Sequence, residues 1–235
     1  MKYAVDLHIH SALSPCSDKD MTPNNIVNMA LLKQLDIIAL TDHNTAANTA
    51  ATCKCAEGTN ILVVPGMEVE TSEEVHLICL FPNVRAALLM QEKVYAALPP
   101  MENREDIFGA QYIMDEEDNI TENLKRMLIT ATSLPVQEVF EFAAGIGGVV
   151  IPAHVDRSSY SVISNLGFIP EDLKINYVEI SKNCDAQALI KNNGQLEKYK
   201  MLRSSDAHCL GEILERETFL ELEEFSVECL LDRLK

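Results

Sequence analysis

Tryptophan is absent from this 235-residue sequence, and basic residues are scarce. The 19 Lys and Arg residues stand against 36 Asp and Glu residues, which leaves a formal net charge of −17. A surface this acidic repels phosphate backbones and anionic membranes, and the lack of Trp reduces the side chains that could stack on bases. The composition therefore argues against membranes and long nucleic acids as partners, and it leaves the oligomeric state open.

Long apolar runs are also missing. No stretch approaches the roughly 18 apolar residues that a transmembrane helix needs, and the N-terminal residues MKYAVDLHIH are too polar for a signal peptide. The seven cysteines are an odd number, which without a secretory signal indicates free thiols rather than a disulfide framework. These features predict a cytoplasmic protein.

Short apolar runs alternate with helical patterns along the chain. Hydrophobic residues make up 47% of the sequence, and continuous runs such as ILVV and GVVIPA suit strands buried on both faces of a parallel sheet. The predicted strands are Tyr3–Ile9, Ile37–Thr41, Ile61–Pro65, Val75–Phe81, Gly148–Ala153, Tyr177–Ser181 and Met201–Ser204. The predicted helices are Thr22–Leu35, Ala46–Ala56, Val84–Ala97, Pro135–Gly145, Ala186–Tyr199 and Ser226–Leu234.

This alternation of strands and helices predicts an α/β fold built from βα units. Seven strands indicate a TIM-like barrel with one unit fewer than usual, and the chain length suits a single domain over residues 1–235. Residues 99–134 interrupt this alternation of strands and helices with Pro99-Pro100 and an acidic run at 115–118. We expect this segment to be a mostly helical insertion over one face of the barrel.

Most of the histidines follow the ends of predicted strands. These are His8, His10, His43, His154 and His208, and the sixth, His76, lies near the start of its strand. In parallel α/β folds the carboxyl ends of the strands form the active face. Acidic residues accompany the histidines at Asp18, Asp42, Glu68 and Asp206. Mixed imidazole and carboxylate ligands suit Zn, Mn or Fe.

The same residues form five short motifs in a fixed order. These are DLHIH (6–10), TDHN (41–44), GMEV (66–69), AH (153–154) and SDAH (205–208). In order, residue type and approximate spacing they resemble the motifs of the PHP family, the polymerase and histidinol phosphatase metal-dependent phosphoesterases. The resemblance implies a distorted seven-stranded (β/α)7 barrel of PHP type, with up to three metal ions at the carboxyl ends of its strands.

Transferred position by position, the resemblance implies three groups of metal ligands. One ion would be held by His8, His10, Glu68 and Asp206, a second by Glu68, His76 and His154, and a third by Asp18, His43 and His208. Asp18 is the least defined, because the family's SDGxxTP pattern reads SDKDMTP over residues 17–23. Asp20 and Cys16 are alternatives, and the spacing back from Thr22 favours Asp18.

The resemblance implies a metal-dependent phosphoesterase that hydrolyses phosphate esters of a small metabolite or nucleotide by metal-activated hydroxide. Two to three divalent transition metals (Zn, Mn or Fe) would be the cofactors. Asp206 or His208 could protonate the leaving oxygen, and Arg157 could hold the phosphate with paired hydrogen bonds. Asp6 and Asp42, which precede ligand histidines, are predicted to accept hydrogen bonds from imidazole N–H groups.

Three other functions remain open at this point. A phosphodiesterase or exonuclease acting on short oligonucleotides would use the same ligands, although the acidic composition argues against long polyanions. A non-catalytic metal-binding regulatory module would keep the fold, yet all the ligand positions are filled. An amidohydrolase also uses an HxH motif, but a metal-bridging lysine or a different motif order would then be expected.

Overall fold

Strands and helices follow one another along the chain in the computed structural model, which describes residues 1–235. The strands are β1 (Lys2–Ile9), β2 (Ile37–Leu40), β3 (Leu62–Glu70), β4 (His76–Leu80), β5 (Tyr112–Met114), β6 (Ile120–Asn123), β7 (Val149–Pro152), β8 (Tyr177–Ile180), β9 (Lys200–Arg203) and β10 (Phe219–Glu221). The helices are α1 (Pro23–Leu32), α2 (Thr49–Cys55), α3 (Val84–Ala97), α4 (Glu105–Phe108), α5 (Val136–Gly145), α6 (Val162–Leu166), α7 (Ala186–Asn192) and α8 (Val227–Leu234). Short 3-10 helices cover Gly194–Lys198 and Leu210–Glu212. All seven predicted strands are present, as β1–β4 and β7–β9.

The strands form a curled six-stranded sheet in the order β10-β1-β2-β3-β4-β7, and β8 pairs separately with β9. β1, β2 and β3 are parallel, whereas β4 runs antiparallel to both β3 and β7. A few backbone hydrogen bonds link the β8-β9 pair to the sheet. The Val155 N–H donates to the Glu179 carbonyl at 2.9 Å beyond β7, and the His10 N–H donates to the Ala207 carbonyl at 3.0 Å beyond β1.

The regular parallel barrel that the apolar runs predict is therefore not present. The hydrogen-bonded sheet has six strands rather than seven, and β4 is reversed. Only residues 71–75 separate the end of β3 from the start of β4, whereas a parallel return needs a crossover of roughly a dozen residues or more. The connection is a hairpin, so the amino-terminal end of β4 lies beside the carboxyl ends of β1, β2 and β3.

Helix boundaries follow residues that cap them. The side chains of Thr22, Asn83 and Ser226 accept backbone N–H groups in the first turns of α1, α3 and α8, which satisfies donors that the helix itself cannot. Pro23 occupies the first position of α1, where its missing N–H carries no penalty. None of the helices has the length and apolar character needed to cross a membrane.

Alternate residues of β2 face two separate hydrophobic clusters. Ile37 and Ala39 belong to the cluster that includes α8, whereas Ile38 and Leu40 belong to the cluster that includes α1. All four side chains are at most 1% exposed. This burial on both faces explains why the strand is a continuous apolar run in the sequence.

Residues 99–134 form an irregular excursion rather than the mostly helical insertion that we expected. Their helix α4 has four residues, and β5 and β6 form a short antiparallel hairpin. The Tyr112 N–H donates to the Ala12 carbonyl at 3.0 Å, and Asn44 Nδ2 donates to the carbonyls of Leu128 and Thr130 at 2.7 and 3.0 Å. The excursion is thereby attached to the loops that follow β1 and β2.

Gly66 of β3 permits the close approach of β4. A Cβ atom at this position would lie 2.9 Å from the Cys79 carbonyl oxygen and 3.0 Å from the Leu80 and Thr41 side chains. We predict that Gly66→Ala lowers the free energy of unfolding by about 1–3 kcal/mol, because the strands must move apart to admit the methyl group. Urea titration measures the change. Gly145→Ala is the control, since a Cβ there has no neighbour within 4 Å, and equal losses in both variants would contradict the explanation.

Candidate metal centre

All six histidines meet at one end of the sheet. The reversed direction of β4 brings its first residue, His76, to the end where the other five follow or terminate their strands. Neighbouring imidazole rings lie 4.3 to 6.0 Å apart between centroids. Imidazoles held this closely and largely out of water can bind a cation between them when they are neutral, or an anion when they are protonated.

Glu68 of β3 lies among these histidines and is 1% exposed. Its Oε1 atom lies 2.9 Å from His76 Nδ1 and 3.2 Å from His154 Nε2, and its Oε2 atom lies 2.7 Å from His43 Nδ1. Burial by itself would raise the pKa of Glu68, but the charges of His76, His8 and His43 hold it well below its usual range. Glu68 is therefore ionised and presents one oxygen to each side of the cluster.

Asp206, in the loop after β9, completes a second group with His8 and His10. Its Oδ1 atom lies 3.1 Å from His8 Nε2 and 3.0 Å from His10 Nε2, and these two nitrogens are 3.0 Å apart. The oxygens of Glu68 lie 3.4 and 3.5 Å from the same nitrogens. Ligand atoms bound to one ion at roughly 2.1 Å are about 3–3.4 Å from one another, so the spacing suits donors that share a centre.

Four buried atoms of the cluster make no hydrogen bond of good geometry. They are Glu68 Oε2, His76 Nε2, His154 Nδ1 and Asp206 Oδ1, and the two oxygens lack one even though imidazole nitrogens lie 2.7 to 3.1 Å away. Leaving such atoms unpaired costs about 1–3 kcal/mol each. Three overlapping sets have ligand atoms within 4.8 Å of one another: His8, His10 and Glu68; His43, Glu68 and His76; and His10, His43 and His208. This donor chemistry fits the several divalent ions that the sequence predicts.

Asp18, predicted as a ligand of the third ion, lies outside these sets. Its side chain is exposed, and the segment approaches the cluster through its backbone, where the Asp18 N–H donates to the His208 carbonyl at 2.8 Å. Cys16, one of the alternatives, instead has its thiol close to the His43 and His208 side chains. Partial desolvation of the thiol would raise its pKa, although the residue as a whole is exposed, but the two neighbouring imidazoles lower the pKa to about 6.

Glu179 of β8 is a site residue that the sequence reasoning missed. It is 2% exposed, both of its oxygens lie 3.0 Å from His8 Nδ1, and its Oε2 also accepts the His154 N–H at 3.1 Å. A carboxylate at Nδ1 orients the ring so that Nε2 faces the cluster, and it raises the basicity of the imidazole. The available signal was an acidic residue inside the apolar run YVEI, where an unpaired carboxylate would be costly.

Asp6 and Asp42 do not accept hydrogen bonds from imidazoles, contrary to our prediction. They bind the loops beside the site instead. Asp42 accepts the Ser14 hydroxyl at 2.7 Å, and this hydroxyl lies 3.0 Å from His10 Nδ1. Asp6 accepts the Ser205 backbone N–H at 3.0 Å. Both carboxylates are fully buried, so they fix the two loops that carry the donors beyond β1 and β9.

The backbone is strained at two of the donor positions. His154 and Asp206 have φ angles of +30° and +50°, which non-glycine residues rarely adopt. Conformations of this kind cost about 1–3 kcal/mol each and persist where the surrounding structure enforces them. The hydrogen bond from His154 N–H to Glu179 is one such constraint.

A polar cleft of about 470 Å³ opens onto Asp206 and His208. No hydrophobic side chain lines it, and its two cationic residues are Arg157 and Lys182. Arg157 reaches the cluster, with a guanidinium nitrogen 2.6 Å from Asp206 Oδ2. The lining also includes the carboxylates of Asp206 and Glu212, so it suits a polar ligand in contact with the histidine cluster.

The sequence profile of the PHP domain matches residues 6–134, more than half of the chain. The chain belongs to the PHP domain family. The matched range contains the predicted ligands from His8 to His76, while His154, Asp206 and His208 lie beyond it. The structure brings these three later residues into the same cluster.

The chain is also similar to a sequence relative and to solved structures that have the same fold. A protein of unknown function from Methanocaldococcus jannaschii is 35% identical over 86 residues, which are 33% of this chain and 50% of that protein. Endonuclease Q from Pyrococcus furiosus, a lesion-specific enzyme, has a TM-score of 0.69 at 22% identity, and the match covers 100% of this chain but 56% of that one. A protein from Bifidobacterium adolescentis, provisionally described as a metal-dependent phosphoesterase, has a TM-score of 0.64 at 16% identity over 97% of this chain and 96% of that one.

A second structure of endonuclease Q corrects one of our expectations. It has a TM-score of 0.69 at 20% identity to this chain and contains a 27-mer duplex with an abasic lesion at the active site. The same fold therefore accommodates a long nucleic acid, and the argument from net charge against such partners is wrong. Net charge sums the whole surface, whereas recognition depends on the local potential, to which bound cations contribute.

The contact between Glu179 and His8 gives a testable consequence. We predict that Glu179→Gln weakens divalent metal binding about 10–100-fold with the fold retained, because the His8 ring loses its anionic partner. Isothermal titration with Mn²⁺ or Zn²⁺ measures the affinity, and circular dichroism checks the fold. Glu171→Gln, at an exposed position, is the control. Equal affinities in the two variants would show that Glu179 does not support the centre.

Proposed function

We propose that this PHP domain protein is a phosphoesterase whose substrate is a phosphate ester of a small metabolite or nucleotide. The observation that carries the proposal is a buried cluster of histidines around Glu68 and Asp206 that opens into a polar cleft with Arg157 beside it. Divalent ions held there would supply an activated water and positive charge for the phosphate. We further infer that the curled sheet and the β8-β9 pair act as one distorted barrel in a single domain.

The surroundings of each side chain suggest its role. Asp206 has one oxygen beside the His8 and His10 nitrogens and the other against Arg157, so it would help to hold an ion while it positions the guanidinium. The His208 ring is 27% exposed at the cleft. It would present positive charge to the leaving oxygen, carried either by its own proton or by a bound ion. Glu68, with one oxygen toward His76 and the other toward His43, suits a bridging position.

Arg157 would bind the phosphate itself. Its side chain is 44% exposed and one of its nitrogens contacts Asp206, which leaves further N–H donors for two oxygens of a terminal phosphate. Glu68, Asp206 and an activated hydroxide together would contribute roughly −3, and Arg157 with two divalent ions would contribute about +5. A phosphomonoester dianion balances the remainder, whereas a neutral amide leaves it unmatched. The charge balance thus favours a monoester over the substrate of an amidohydrolase.

Hydrolysis of phosphodiesters in nucleic acid is the second candidate. The observation that favours it is the match of the entire chain to endonuclease Q, whose complex contains duplex DNA. The matched region is 56% of that enzyme, so its remaining segments have no counterpart in these 235 residues. We rank this candidate second because a diester brings a single negative charge to the site.

A substrate panel tests the proposal. We predict that protein reconstituted with Mn, Zn or Fe hydrolyses at least one phosphomonoester. We also predict that Asp206→Asn lowers kcat about 100-fold or more, because it removes the carboxylate charge beside the His8 and His10 imidazoles. Product release is measured for monoesters, cyclic nucleotides, short oligonucleotides and lesion-containing duplexes. Asp172→Asn, at an exposed position outside the cluster, is the control and retains wild-type turnover.

The outcomes of the panel separate the candidates. Turnover of an oligonucleotide or duplex without turnover of any monoester would replace our leading proposal with the second. Metal binding without hydrolysis of any substrate would favour a regulatory module. Arg157→Ala is expected to raise KM for the best monoester while the metal content stays unchanged.

A further inference from the structure

Cys16 lies beside two imidazoles, His43 and His208, whose ligand atoms form a set with His10. The residues on either side of Cys16 hold it there, because Ser14 Oγ accepts the His43 N–H at 3.2 Å and the Asp18 N–H donates to the His208 carbonyl at 2.8 Å. The thiol lies close to both side chains. His43 Nδ1 is 2.7 Å from Glu68 Oε2, and His208 Nδ1 is 2.9 Å from the Asp206 carbonyl. With Nδ1 engaged in both rings, the Nε2 atoms remain available to face the sulfur.

The backbone holds Cys16 in this position. The Ser17 N–H donates to the Ser14 carbonyl at 2.9 Å, which makes a turn with Cys16 inside it, and the Asp18 N–H donates to the His208 carbonyl. Gly109 of the excursion packs on the preceding residue, since a Cβ at Gly109 would collide with the Pro15 carbonyl. The loop is therefore attached to the His208 segment on one side and to the excursion on the other.

We propose that Cys16, His43 and His208 form a metal site in which a thiolate takes the position that the sequence assigns to Asp18. The proposal rests on the metal-dependent function proposed above. One thiolate and two imidazoles are a donor set of zinc sites that keep a fourth position open for water or substrate. His208 lines the cleft, so the open position would face the substrate. A sulfur ligand favours Zn or Fe over Mg or Mn.

Cobalt substitution tests this site without reference to activity. Metal-free full-length protein is titrated with Co²⁺, which gives a near-ultraviolet sulfur-to-cobalt charge-transfer band only when a thiolate is bound. We expect the band in the wild type, its loss in Cys16→Ser, and roughly one bound equivalent fewer in that variant. The matched controls are Cys209→Ser, next to His208 in sequence, and Asp18→Asn. Both should keep the band and the stoichiometry.

A second measurement uses the wild-type protein alone. Because Cys16 is exposed, an alkylating reagent should modify it in the metal-free protein, and Zn²⁺ should protect it, as read by peptide mass spectrometry. A Cys16→Ser variant that retains the band, loss of the band in Asp18→Asn instead, or no protection by Zn²⁺ would overturn the proposal. Wild-type hydrolysis without any charge-transfer band would reject this site and leave the proposed function standing. A band that depends on Cys16 in a protein without hydrolytic activity would support this site and reject the proposed function.

Discussion

Glu68 is an ionised carboxylate removed from water, and its charge must be offset by positive charge close by. Five imidazoles lie within 2.7 to 3.5 Å of its oxygens, and they come from four different strands or the loops that follow them. The reversal of β4 is part of this constraint, because a parallel β4 would carry His76 to the opposite end of the sheet. The close approach of β3 and β4 at Gly66, the hairpin between them and the position of the histidines therefore depend on one another.

The donors are held in place by a surrounding layer of buried polar groups. Glu179 fixes His8 and the backbone of His154, Ser14 links His10 to Asp42, and Asp6 restrains the loop that carries Asp206. These partners engage the nitrogens and backbone groups on the outer side of the cluster. The unpaired oxygens of Glu68 and Asp206 lie among the imidazoles. Such an arrangement prepares the donors for cations before a substrate arrives, and it accounts for strained backbone at His154 and Asp206.

Much of the fold could be predicted from the sequence because continuous apolar runs and cap residues report on local structure. All seven predicted strands are present, and the family resemblance is confirmed. The direction of β4 was missed because an apolar run does not indicate which way its strand points in the sheet. The short connection at 71–75 does indicate it, since it allows only a hairpin. The excursion was mistaken for a mostly helical segment because its short hairpin has few apolar residues and depends on contacts with distant loops.

The candidate site shows a similar division. The histidines and Glu68 could be identified because their order along the chain matches a family. Glu179 could not, because its role depends on the contact between β8 and β1, which are 171 residues apart at the bonded positions. Asp18 was favoured over Cys16 on spacing alone, whereas a turn of a few residues decides which side chain faces the histidines.

The central claim is that the charge of Glu68 and its surrounding imidazoles organise a centre for divalent cations. Anomalous X-ray diffraction from crystals grown with Mn²⁺ or Zn²⁺ tests this most directly, because it locates each ion without reference to any substrate. We expect separate anomalous peaks on the two sides of the Glu68 carboxylate, each at bonding distance from one of its oxygens. Crystals soaked at saturating metal that show no peak beside Glu68, with its oxygens hydrogen-bonded to protonated imidazoles instead, would contradict the claim.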